Sequence, residues 1–164
     1  MLIIPNVSRP VPDSKQYASE WMIDGLQTVA MTPEESVHYR PDTNIGALEW
    51  ATTLPHGKGV ISLPNTPGLF RLAMFHQLEC LDVIRSSMVE RSARPSEPWE
   101  PEATHFCLNY LRQSVQCHTD THLEMVRSEY GGGSVRPYTT MTDCKNWEQI
   151  WDASERNFDE WKSS

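Results

Sequence analysis

His76 and Glu79 are the residues of this 164-residue chain whose types and spacing most directly offer chemistry. Three positions apart on a helix, they share one face about a turn apart, and Leu72, Cys80 and Val83 give them apolar neighbours. Burial of an imidazole and a carboxylate together tunes both groups towards neutral pH, which suits a proton shuttle. The plainer alternative is a core histidine satisfied by hydrogen bonds beside a solvated glutamate. His118 and His122, four apart, have the spacing with which a helix grips a metal ion. Thr119, Asp120 and Thr121 follow His118, so the glutamate of the zinc-protease helix motif is missing and a surface pair near a helix end competes with a metal site. Arg85 and Arg112 each follow an apolar residue in an apolar helix, and are expected to answer carboxylates such as Asp82 or Asp120. Ser134 follows three glycines, but no G-x-G-x-x-G, Walker or G-x-S-x-G pattern occurs, which excludes a nucleotide cradle and a serine-hydrolase elbow.

These residues ride on two long predicted helices. Phe70, Met74, Leu78, Leu81, Ile84 and Met88 recur at helical spacing, predicting a helix from Gly68 to about Glu90. Three prolines mark residues 91–101 as a linker, and a second helix is predicted from Glu102 to about Met125. One face of that helix carries Ala103, Phe106, Tyr110, Gln113 and Cys117, and another carries Leu108, Leu111, Val115, His118 and His122. Trp147, Ile150, Trp151, Phe158 and Trp161 predict a third helix over residues 143–161, packed across the other two. Turn chemistry at Pro55-His56-Gly57-Lys58-Gly59, followed by Val60–Leu63 and closed by Pro64, predicts a small β-hairpin or flap near residues 50–63. Earlier, a short helix is expected over Tyr17–Thr28 and a further helix start at Thr32-Pro33-Glu34-Glu35. Residues 1–18, with three prolines and no apolar period, read as an extended arm. The fold class expected is mainly α, with residues 19–164 forming a single helical domain.

A chain of this length buries about two-thirds of its unfolded surface and supports one core. Fourteen Lys and Arg against 22 Asp and Glu give a net charge of −8, a field that repels phosphate backbones and argues against nucleic acid as a partner. No run approaches the roughly 20 apolar residues of a spanning helix, and Met1-Leu2-Ile3-Ile4 is broken at Pro5, so the chain as written reads as soluble and without a signal peptide. Cys80, Cys107, Cys117 and Cys144 form no C-x-x-C pair, and residues 107 and 117 on one helix lie too far apart to bridge. The pairings left are 80–107 with 117–144, or 80–117 with 107–144. Bridged cysteines, together with the sequon Asn6-Val7-Ser8, would favour a secretory lumen, and free thiols the cytoplasm.

The run Phe75-His76-Gln77-Leu78-Glu79-Cys80-Leu81-Asp82 with Ile84-Arg85, then Cys107-Leu108-Asn109-Tyr110-Leu111-Arg112-Gln113 followed by Cys117 and Asp120, resembles the fungal UstYa-like family. The resemblance extends back through Leu54-Pro55, Gly57 and Gly59-Val60 to Trp50, and forward to Cys144-Lys145-Asn146-Trp147-Glu148 and Ile150. It implies a tailoring enzyme of secondary metabolism, including that of ribosomally made cyclic peptide mycotoxins. Typical members carry a membrane anchor before this domain and two H-x-x-H-C motifs whose histidines are expected to bind copper for oxidative chemistry. Here the first motif reads His76-Gln77-Leu78-Glu79-Cys80, and the second reads Ala103-Thr104-His105-Phe106-Cys107. Met141-Thr142-Asp143 replaces a later histidine, so only His76 of the implied ligand set survives.

A single imidazole and a carboxylate supply copper(II) with few strong ligands. The expectation is therefore a cyclase or isomerase that needs no cofactor and acts on an apolar small-molecule or cyclic-peptide intermediate. His76 would serve as general base or hydrogen-bond donor, and Glu79 as acid or as the group orienting His76. Leu72, Val83, Ala103, His105, Phe106, Tyr110 and Gln113 would shape the substrate pocket. One alternative is a copper-dependent oxidase with a rearranged site drawn from His76, Glu79, His105, His118 and His122. Another is a catalytically silent homologue that stabilises an active paralogue, with either a homodimer or a paralogue heterodimer as the assembly.

Overall fold

A computed structural model describes residues 20–34, 36–96, 102–121, 123, 125–126, 135–136 and 140–164. The expected N-terminal arm at residues 1–18, His122 and Ser134 lie outside the described residues. The described chain is mainly helical, as its periodicities predict, and none of its helices is long and apolar enough to cross a membrane. In chain order the elements are β1 (Thr28–Met31), α1 (Asn44–Ala51), β2 (Val60–Ser62), β3 (Leu69–Arg71), α2 (Ala73–Ala93), α3 (Glu102–His118), β4 (Met125–Val126), β5 (Val135–Arg136), β6 (Met141–Lys145) and α4 (Trp147–Ser163). Three two-stranded antiparallel ladders join β1 to β6, β2 to β3 and β4 to β5.

The hairpin lies further along the chain than expected. Val60–Ser62 is a strand, but its partner follows it, pairing Ile61 with Phe70, while residues 44–51 form α1. Thr43 caps that helix by accepting from the Gly46 N–H at 3.0 Å, whereas Thr32, Pro33 and Glu34 belong to no helix. The expected Tyr17–Thr28 helix is also absent over its described part, residues 20–28, because Gly25 turns the chain at φ +70° and Thr28 already pairs with Lys145 in β1. Each long helix is displaced by a few residues. α2 opens only after β3 is complete, and α3 stops at Thr119, a β-branched residue at φ +44°. Asn146 sets the start of α4 by accepting from the N–H groups of Glu148 and Gln149, leaving Met141–Lys145 free to pair with β1.

α2 and α3 are the main packed pair. Cys80 is bonded to Cys107, and His76 meets Tyr110, so the pairing descends α2 as it climbs α3 and the two helices run antiparallel. This bridge belongs to the first of the two expected pairings, but Cys117 and Cys144 are free thiols, Cys117 on the surface. α4 packs on β2, a correction to the expected packing across α2 and α3. The side-chain amide of Asn157 accepts from the Ser62 N–H at 2.7 Å and donates to its carbonyl at 2.9 Å. Phe158 fills the space above Gly57, and Phe75 that above Gly59, so closely that any side chain there would collide; Gly59 also sits at φ +74°. Ile61, Phe75, Cys80, Cys107 and Ala153 make the buried core at this junction. Arg85 answers Asp82 at 2.6 Å, as expected, and also donates to the Pro41 carbonyl, tying α2 to the lead-in of α1. Arg112 donates instead to the amide oxygen of Gln116.

Candidate functional site

His76, in the first turn of α2, faces two rings of α3. Phe106 and Tyr110 are four residues apart, so they rise from one helix face and lie nearly parallel, with centroids 6.3 Å apart and an interplanar angle of 3°. The His76 ring stacks on Tyr110 at 4.3 Å and on Phe106 at 6.1 Å. The Cys80–Cys107 bridge is one turn further along α2 and adjacent to Phe106 on α3, so a covalent tie holds the two helices where the rings meet. Beside the stack opens a cleft of about 600 Å³ lined by His76, Glu79, Cys80, Val83, Glu102, Ala103, Phe106 and Cys107. Phe106 keeps 57% of its surface exposed, presenting a flat apolar wall to whatever enters.

Glu79 shares that cleft but is not paired with His76. Its carboxylate is held by the Arg71 guanidinium and by Lys58 Nζ at 3.5 Å, and Arg71 is itself fixed by donating from Nε to the Lys58 carbonyl at 2.9 Å. The bond from Arg71 lowers the Glu79 pKa below the ordinary carboxylate value, outweighing partial burial, and Lys58 adds to the effect. Glu79 is thus ionised at neutral pH. Against its expected roles as acid or as the group orienting His76 stand a carboxylate held in its ionised form and the lack of a hydrogen bond between it and His76 among the described residues. Arg71 and Lys58 were not singled out in the sequence. Nothing in their separations of 8 and 21 residues from Glu79 signals the cluster, since the β2–β3 hairpin creates it.

The other expected site residues divide. Val83, Ala103 and Phe106 line the cleft, and Tyr110 backs His76. Leu72 precedes α2 and lines a different cavity. Gln113 points its amide at its own helix, donating to the Asn109 carbonyl at 3.1 Å, and His105 bonds the Asn109 amide at 3.1 Å on the exposed surface. His118 lies 13 residues beyond His105 on the same helix, about 20 Å along its axis, and lines the cavity shared with Leu72. A single ion therefore cannot draw on both histidines, nor does His118 reach the cleft at His76.

The four positions implied as histidine ligands, 76, 79, 103 and 106, do converge on one cleft beside the disulfide. They carry one imidazole, one carboxylate already neutralised by two cations, a methyl group and a phenyl ring. That donor set does not fit copper, which needs several nitrogen, sulfur or oxygen donors around it. Among the described residues the grouping of three side chains close enough to share an ion is His56, Glu155 and Asp159, away from this cleft.

Residues 7–163 match the family described as "Mycotoxin biosynthesis protein UstYa". The chain is 30% identical over 117 residues to "UstYa family oxidase phomYb" of Diaporthe leptostromiformis, covering 62% of this chain and 46% of that protein. It is 31% identical over 95 residues to "Oxidase ustYa" of Aspergillus flavus, covering 48% of this chain and 44% of that protein. The matches span less than half the length of either relative. No solved structure matches the chain. The match over nearly all of its length shows that the chain belongs to the UstYa family of mycotoxin biosynthesis proteins.

Proposed function

We propose that this protein is a tailoring enzyme of fungal secondary metabolism that binds an apolar intermediate in the α2–α3 cleft and cyclises or isomerises it without redox chemistry. The observation that supports this is that Ala103 and Phe106, at positions where the resemblance implies ligating histidines, line one cleft with His76. The stacked rings of Phe106 and Tyr110 fix the plane of the imidazole, and its two nitrogens hold no hydrogen bond among the described residues. His76 takes a proton from an acidic C–H of the bound intermediate and returns it either to a different atom, giving an isomer, or to a hydroxyl group that leaves as water as the new bond forms, so atoms and electrons balance without an oxidant. For a ring closure that needs no proton transfer, the aromatic wall supplies catalysis by holding the reactive conformer. Glu79 stays anionic and is paired with Arg71 and Lys58.

A second reading, a metal-dependent oxidase, is favoured by the names of both relatives. The two differ in mass balance. In a producing fungus that lacks this gene, the compound that accumulates and the compound restored by re-expression are compared by high-resolution mass spectrometry. Products equal in mass to the substrate, or lighter by one water, are expected, with conversion by purified protein that survives chelation. A product lighter by two hydrogens or heavier by one oxygen, formed only with one retained copper per chain, overturns the proposal and establishes the oxidase.

A further inference from the structure

A second cavity, of about 580 Å³, is separated from the cleft by the Arg71–Glu79 pair: Arg71 lines the cavity and Glu79 the cleft. Its walls come from four parts of the chain, with Trp21 and Leu26 before β1, Phe70 on β3, Trp147 and Ile150 at the start of α4, and buried Ile61 beneath. Large apolar side chains left half covered around a hollow of this size are the usual lining of a small-molecule site.

The charge on the walls specifies the ligand further. In a chain of net charge −8, this cavity collects Arg71 and Lys145 against one acid, Glu20. Arg71 is already answered by Glu79, but Lys145, at the end of β6, has no ion-pair partner among the described residues. The backbone carbonyl of Ser114 accepts from His118 Nδ1 at 2.8 Å, which fixes the imidazole as part of the wall without assigning it to the anionic head. Leu72, Ala73 and Met74, at the start of the 21-residue α2, also line the cavity, and that helix start has neither a side-chain cap nor an acidic residue in its first turn. Its first N–H groups add positive potential to the same wall.

We propose that this cavity binds an apolar organic anion, with its ring or chain against Trp147 and Phe70 and its carboxylate or other acidic head at Lys145. This site is independent of the chemistry at His76. It is tested by fluorescence titration of the whole chain with two probes of similar size, the aromatic sulfonate 8-anilino-1-naphthalenesulfonate and the uncharged N-phenyl-1-naphthylamine. One sulfonate per chain is expected, displaced by dodecanoate. Lys145→Glu should weaken the sulfonate by at least about tenfold and the neutral amine by less than about threefold, with an unchanged near-ultraviolet circular dichroism spectrum. His76→Ala should leave sulfonate binding unchanged. The proposal is overturned if the sulfonate does not bind with one-to-one stoichiometry, if Lys145→Glu binds it as tightly as the wild type, if both probes weaken alike, or if His76→Ala abolishes binding. Should Lys145→Glu fail to fold, Lys145→Gln decides in its place: selective weakening of the sulfonate supports the site, and unchanged affinity refutes it.

Discussion

Glu79→Gln separates a structural carboxylate from a catalytic one. The Glu79 and Arg71 side chains are 30% and 28% exposed, and Arg71 Nη2 is buried without a hydrogen-bond partner, so the guanidinium depends on the carboxylate. A charge-assisted hydrogen bond contributes about 1.5–3 kcal/mol, and partial exposure reduces this to about 1–2 kcal/mol here. With a urea slope of about 2 kcal/mol/M, the midpoint of unfolding at pH 7 falls by about 0.5–1 M. The sign of the pH dependence follows from the lowered pKa of the folded state. Above the unfolded value of about 4.3, neither state binds the proton and the full stabilisation is present. As pH falls, the unfolded chain protonates first, and the stabilisation is lost as pH drops through the folded value. The gap between wild type and Glu79→Gln should therefore be present at pH 7, narrow below about pH 4.3 and close once both states are protonated. Urea titrations of both proteins from pH 7 down to pH 3 measure it. Equal midpoints at pH 7, or a gap that persists undiminished in acid, would refute the assignment of Glu79 to the Arg71–Lys58 cluster.

Further outcomes follow from the same geometry. His76→Ala should lower the rate of product formation by at least about tenfold, roughly 1.4 kcal/mol of barrier, while Glu79→Gln stays within a few-fold of wild type; an unchanged rate in His76→Ala would remove that imidazole from the chemistry. Replacing both Cys80 and Cys107 by serine opens a bridge with a sequence separation of 27, for which loop entropy gives about 3.5 kcal/mol of lost stability; a loss under about 1 kcal/mol in denaturant titration would contradict the role of the bridge as a staple. Native alkylation followed by non-reducing mass spectrometry should find two free thiols, with exposed Cys117 labelled before half-buried Cys144; zero or four labels would overturn the pairing.

The two long helices and their facing residues were legible because apolar spacing over some twenty positions is a strong local signal. The same period placed Phe106 and Tyr110 on one face and Ala103 with them. Long-range pairing was not legible. β1 finds its partner more than a hundred residues later, and its bulge between Val29 and Met31 blurs the alternation that would mark a strand. The turn at Pro55–Gly59 is legible in its residue types, but the strand that completes the hairpin, Leu69–Arg71, is not, because Phe70 within it also begins a helical period. That ambiguity hid Arg71, and with it the true partner of Glu79. The Asn157 clamp on Ser62 could not be seen either, since a polar residue on an amphipathic helix reads as solvated until its partner is known.

The preference of the α2–α3 cleft for one kind of ligand can be weighed in energies. The disulfide and the helix pair bring positions 76, 79, 103 and 106 together around one cleft. The phenyl ring at 106 leaves apolar surface facing the opening, and covering that surface is favourable. Covering the exposed part of Phe106, on the order of 100 Å², is worth about 2.5 kcal/mol at about 25 cal/mol/Å². A flat ligand seated there gains that burial and presents its reactive edge to His76, one ring away. A charged or strongly hydrated metal ion gains nothing from the same wall and loses its hydration shell against it. Under the proposed function, Ala103 and Phe106 make the cleft favour apolar organic molecules over ions, and Phe106→His should move that preference towards an ion. Copper retained by Phe106→His but not by wild type, measured by elemental mass spectrometry after desalting, is the expected outcome; one ion per chain retained by the wild type as well, or none by Phe106→His, would show that the apolar wall does not decide between ion and organic ligand.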